Sequence, residues 1–227
     1  MSSRKNMTFG EHLEELRWVF IRIILVLSIL IVIGFSYSDL AQDFIKKAIA
    51  EEDLARMNLQ DIRMPSPFMV KFVIALFSSI MLAFPYIMFE IYQFISPAMP
   101  NISKKYLVVL FLFSIIFFIG GCIFGYFYLF PITTSFFISL VDSNTEFNPE
   151  RLNFIFYAFW LILVSGLIYQ LPIISFIFTK LKIINYEFLR QMRSYSIIIC
   201  LVLGALLSPP DPISQLLIAL PLYILYE

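Results

Sequence analysis

The chain has 227 residues, 60 % of them hydrophobic and 14 % charged, with a mean hydropathy of +0.88. Soluble domains are about half apolar and a quarter charged, so this composition describes an integral membrane protein and excludes an ordinary soluble domain. Sixteen Lys and Arg balance sixteen Asp and Glu, which leaves no general basic surface for nucleic acid.

The apolar runs are continuous rather than alternating, which predicts membrane helices and not a barrel. Cys122 and Cys200 both fall in apolar runs, so neither a disulfide framework nor a metal site is expected. The first apolar run lacks a small-x-small cleavage site and reads as a retained span. There is no Ser/His or Cys/His arrangement, no two-His spacing and no phosphate-cradling glycine loop; the sequence predicts no enzyme and no cofactor. His12 is the one histidine.

Residues 1–17 are polar. Thr8 with Glu11 three residues on reads as a capping box that starts a helix. On that helix Leu13, Leu16 and Phe20 line one side, and Glu11, Glu15 and Arg22 another. A carboxylate near lipid is costly unless it meets a cation, which singles out Glu15. The alternative is a solvated face on which Glu14 pairs with Arg17 at i, i+3.

Six spans follow, at about 18–37, 68–95, 106–130, 153–178, 194–207 and 212–226, forming one membrane domain over 1–227. The first four meet the roughly 20 residues a bilayer core requires. The last two are short, which implies local thinning of the bilayer. An external loop, 38–67, carries six of the sixteen acids, with helical spacing over Leu40–Ala50, and ends at Pro65-Ser66-Pro67. Pro85 kinks span two, Pro131 closes span three, and Gln170 with Pro172 interrupts span four. Arg4, Lys5, Arg17, Lys104, Lys105, Lys180, Lys182, Arg190 and Arg193 all fall on the side of the termini. The positive-inside rule therefore places both termini on the cytoplasmic, matrix or stromal face.

Inside the spans, Glu90 is the one deep acid and calls for a partner or a wet cavity, unless it lies near enough to the end of its span to snorkel. Gln170 wants hydrogen-bond partners across helices, or simply glues two of them together. Ser208 and Gln215 flank the last hairpin as a polar patch or as turn and packing residues. Asp211, after Pro209 and Pro210, reads as a turn acid that caps the final helix.

His12-Leu13-Glu14-Glu15-Leu16-Arg17 ahead of a membrane helix resembles the N-terminal signature of TatC, the multispanning subunit of the twin-arginine protein translocase. The likeness continues through Ser66-Pro67-Phe68, Pro85, Ile95-Ser96-Pro97-Ala98, Tyr126-Phe127, Phe130-Pro131 and Pro172. It closes with Ser208-Pro209-Pro210-Asp211, Ser214-Gln215 and Ala219-Leu220-Pro221-Leu222-Tyr223.

The resemblance implies an all-α, concave six-helix bundle, N-in and C-in. It also implies a receptor that binds twin-arginine signal peptides and assembles with TatA- and TatB-type single-span subunits. Such a receptor forms homo-oligomers in membrane lipid and exports folded proteins on the proton-motive force. It assigns signal-peptide docking to Glu15, with Glu11, Glu14, Arg17 and Ser103 nearby, and partner contact to Ser208 and Gln215. Three positions depart from the pattern. Ser103 stands where the family has a second acid, and Val19 where it has a second arginine. Glu90 and Gln170 look like an exchanged acid and amide, which leads us to expect that they face one shared cavity. The rival class is a proton-conducting or small-solute transporting subunit with Glu90 as carrier. The abundance of Phe and Ile leans towards an A+T-rich, mitochondrial genome, and so a mitochondrial inner membrane ahead of a bacterial plasma membrane.

Overall fold

A computed structural model of the chain describes residues 9–96, 104–141, 147–181, 186–207 and 212–226. Among them the secondary structure is helical, with two isolated backbone bridges and no named strand. Four helical stretches are long and apolar enough to cross a membrane: Leu13–Ser36, Ser66–Ile95, Lys105–Ser139 and Arg151–Lys180. The expected spans five and six are the shorter apolar helices α10 (Arg193–Leu207) and α11 (Pro212–Tyr226), 15 residues each.

Helix α1 (Phe9–Ser36) packs chiefly along α4 (Ser66–Ile95). Ile24, Leu25, Ile29 and Val32 on its other faces are exposed, as suits a helix surrounded by lipid, where apolar side chains need no protein cover. A Cβ added to Gly34 would sit 3.2 Å from the Ala75 backbone, so a small residue lets the two backbones come together there. Helix α4 starts at Ser66, with Pro67 in its first turn, where the missing proline N–H costs nothing. Pro85 lies inside it and removes the donor that the helix would otherwise aim at the Met81 carbonyl.

The third span is longer than its sequence suggests. Helix α5 (Lys104–Phe124) passes through a π-helical turn, Gly125–Leu129, into α6 (Phe130–Ser139), so Pro131 does not close the helix. The wide turn has already interrupted the regular i→i−4 ladder, and the proline falls at the start of the new helical segment, where its absent N–H does no harm. In the fourth span, α7 (Arg151–Ile168) and α8 (Leu171–Lys180) are separated at Tyr169–Gln170, with Pro172 in the first turn of α8. That break falls where the sequence placed it.

The core forms where α4, α5 and α7 meet. Phe77 and Phe84 of α4, Phe118 of α5, Phe130, and Ile155, Phe159 and Leu161 of α7 are all buried in it, and Phe84 stacks on Phe118 with ring centroids 3.6 Å apart. Between α5 and α7 the backbones nearly touch: the Ser165 hydroxyl donates to the Gly121 carbonyl at 2.8 Å. In lipid, close packing and such hydrogen bonds carry helix association, because hydrocarbon offers no hydrophobic drive between helices.

At the far end the expected external loop holds α2 (Ser38–Lys47) and α3 (Glu51–Ala55). Ile45 of α2 and Ile49 just after it are buried in the core, and Lys71 pairs with Asp39 at 3.0 Å. The segment after α3 is clasped to the chain preceding α7. Parallel bridges join Met57 to Phe147 and Gln60 to Glu150, and Arg151 grips both carboxylate oxygens of Asp61. A bidentate, half-buried pair of this kind is stronger than an ordinary surface ion pair. Asp61→Asn should therefore cost about 1 kcal/mol locally and raise hydrogen exchange over residues 57–61 while leaving the helices unchanged. Equal exchange in both proteins would show that the clasp is held by its backbone bridges alone.

Candidate functional site

The α1–α4 seam carries the polar groups. Glu15 lies on α1 and is half-buried; its Oε2 atom is shielded from solvent and accepts no hydrogen bond from the described residues. Glu14 and Arg17 are exposed beside it. Val19 is buried against the bundle, and the cation that the resemblance led us to look for at that position stands one turn further on, at Arg22.

Arg22 meets Glu90. Its Nη1 lies 3.3 Å from Glu90 Oε2, while its Nε donates to the Trp18 carbonyl at 3.2 Å. The Tyr86 hydroxyl donates to Glu90 Oε1 at 2.7 Å. The Glu90 side chain is 3 % exposed against 43 % for Arg22, so the acid is sealed and the arginine forms its open side. Although Arg22 is at ion-pair distance, Oε2 accepts no hydrogen bond from the described residues, because the guanidinium is not aligned on it. Tyr86, one turn before Glu90 on α4, and Arg22 both escaped the sequence-based site. The signal was present: Arg22 lies four residues inside Trp18 and Glu90 five residues inside Ile95, which gives matched depths on antiparallel neighbours.

Gln170 belongs to a different seam. Buried at the break between α7 and α8, it accepts from the Ser114 hydroxyl at 2.5 Å and donates to the Ser114 carbonyl at 3.0 Å. Both ends of the amide are thus satisfied by one residue of α5. Glu90 and Gln170 accordingly do not share a cavity: the acid faces α1 and the amide faces α5. In the last hairpin the Gln215 amide donates to the Leu201 carbonyl at 3.0 Å, and a Cβ added to Gly204 would lie 2.8 Å from the Gln215 carbonyl. Gln215 therefore stitches α10 to α11. Ser103, Ser208, Pro209, Pro210 and Asp211 lie outside the described residues, as does the side chain of Glu11.

These features define a polytopic helical membrane protein with one carboxylate unsatisfied at the mouth of its first helix and a second neutralised within the bundle. Residues 11–221 match the family model of the Sec-independent protein translocase protein TatC. The TatC of Carboxydothermus hydrogenoformans is 34 % identical over 98 % of this chain and 91 % of its own length. That of Aquifex aeolicus is 29 % identical over 97 % and 92 %. The crystal structure of a twin arginine translocase receptor, TatC, superposes with a TM-score of 0.81 at 28 % identity, covering 95 % of both chains. The chain belongs to the TatC family and is a membrane-spanning component of a Sec-independent protein translocase.

Proposed function

We propose that this chain is the receptor of its translocase. It binds the paired arginines of a signal peptide at the end of the bundle where α1 begins, and it nucleates assembly with TatA- and TatB-type subunits. Folded cargo then crosses at the expense of the proton-motive force. The observation that supports this reading best is the Glu15 carboxylate, with one oxygen withdrawn from water and without a hydrogen bond among the described residues. Such a group is short of a partner, and a guanidinium fork is the partner that matches it in shape and charge. The Lys and Arg bias of the sequence puts this end on the cytoplasmic side of an inner membrane, where unexported precursors are met, and the relatives named above are bacterial. The full bundle is then six spans, with α10 and α11 as the short ones. Against Glu90 as a proton carrier stands its ion pair with Arg22.

Crosslinking of a twin-arginine signal peptide to the wild type and to Glu15→Ala tests the proposal. Loss of one charge-assisted contact, about 2 kcal/mol, predicts roughly thirtyfold weaker binding in Glu15→Ala. A Lys-Lys version of the peptide should be similarly impaired on the wild type. Equal labelling in all three cases would remove Glu15, and the receptor role assigned to it, from consideration.

A further inference from the structure

The Arg22–Glu90 contact is an incomplete pair. Glu90 is sealed on every side but the one Arg22 occupies, and Tyr86 holds only Oε1. Oε2 is left without a hydrogen bond although a guanidinium nitrogen lies 3.3 Å away. The arginine divides its donors, spending Nε on the Trp18 carbonyl. A guanidinium arriving end-on presents two parallel N–H groups to a carboxylate and makes the stronger contact. Arg22, 43 % exposed and only one turn from the interfacial Trp18, can leave along its own helix and place its head in the interface.

Glu15 lies seven residues before Arg22 on the same face of α1, about 10 Å along the axis. The seam therefore carries two carboxylates, each with one oxygen that accepts no hydrogen bond among the described residues, at two depths. Adjacent residues on an extended chain send their side chains to opposite faces. Two neighbouring arginines can thus reach two acids set apart along the α1–α4 seam, where a single pocket would force the like charges together.

We propose that Arg22 is an intrinsic competitor for the ligand: it occupies Glu90 at rest, and a ligand arginine displaces it, making Glu90 the second docking acid beside Glu15. This rests on the receptor reading above. The resting protein is then spared an unpaired buried carboxylate. A ligand with one arginine engages Glu15 alone, and only a paired ligand opens the inner contact. The competition raises the discrimination between paired and single arginines, since each ligand arginine must do better than the residue already in place.

The test uses the full chain in nanodiscs and a fluorescent Arg-Arg signal peptide. Arg22→Lys keeps a cation for Glu90, and with it the fold, but removes the Nε contact that ties the competitor to the Trp18 carbonyl and so makes it easier to displace. Binding of the Arg-Arg peptide should tighten about tenfold in Arg22→Lys, the ratio that corresponds to 1.4 kcal/mol. A single-arginine peptide should bind both proteins alike. Glu90→Gln in the Arg22→Lys background should erase the gain. Unchanged or weaker binding in Arg22→Lys overturns the inference, as does a gain that survives Glu90→Gln. If Glu15→Ala weakens binding and Arg22→Lys does not tighten it, only the role of Arg22 falls. If Glu15→Ala binds like the wild type, the receptor reading falls with it.

Discussion

Replacement of Gly166 by leucine should cost more than about 3 kcal/mol and abolish the folded bundle. A single Cβ at this position would lie 2.7 Å from the Cys122 sulfur and 2.8 Å from the Phe118 ring. Across the seam, a Cβ on Gly121 would meet the Ser165 carbonyl at 2.7 Å and the Gly166 Cα at 2.8 Å. The contacts are largely backbone and ring atoms, which cannot swing aside, and a close-packed interior transmits the strain rather than absorbing it. Separating α5 from α7 would also break the Ser165–Gly121 and Gln170–Ser114 hydrogen bonds. Gly120 supplies the control, because a Cβ there meets nothing within 4 Å. Gly120→Ala should be neutral or stabilising by up to about 1 kcal/mol, from helix propensity alone. Thermal unfolding in detergent decides the matter: equal midpoints for Gly166→Leu and Gly120→Ala would show that the seam is slack.

The second large effect is expected from Arg22→Leu. Removing the arginine strips the buried Glu90 carboxylate of its cation and leaves it the Tyr86 hydroxyl. Breaking a buried pair from one side costs about 3–5 kcal/mol, and the 43 % exposure of Arg22 points to the lower end of that range. The double substitution Arg22→Leu with Glu90→Leu should recover most of the loss, since replacing both partners by apolar groups is often neutral. Unfolding midpoints of the two singles and the double form the cycle that isolates the pair. A double variant no more stable than Arg22→Leu would mean that Glu90 is not what makes the arginine necessary. The opposed behaviour of Arg22→Leu and Arg22→Lys separates the neutralising charge from the anchored guanidinium that competes with the ligand.

Much of the architecture was legible in the chain. The long apolar runs, the shortness of the last two helices, the proline at the start of α4 and the break at Gln170 and Pro172 all follow from local rules. Hydropathy reports the solvent a segment needs, and a missing proline N–H acts within one turn of helix. The ordered set of motifs led to the TatC family for the same reason, since each is a short local pattern. Pro131 shows the limit of such rules. It reads as a stop, yet the helix runs on to Ser139, because the π-helical turn ahead of it had already given up the bonds the proline would have broken.

The pairing of polar groups was decided elsewhere. Glu90 and Gln170 looked like an exchanged acid and amide facing one cavity, and the fold sends them to separate seams with separate partners, Arg22 and Ser114. Composition and spacing, read along one helix, say that a buried acid must be neutralised and a buried amide satisfied. They do not say by which residue. That choice depends on which helices lie side by side and in what register, and it rests on small residues such as Gly34, Gly121 and Gly166, whose absent side chains allow the backbones to approach. By itself the sequence determined the membrane class, the helices and the family. The tertiary structure decided who neutralises Glu90, who satisfies Gln170 and how the segment after α3 is clasped to the chain before α7, because steric fit and charge pairing act between residues far apart in the chain.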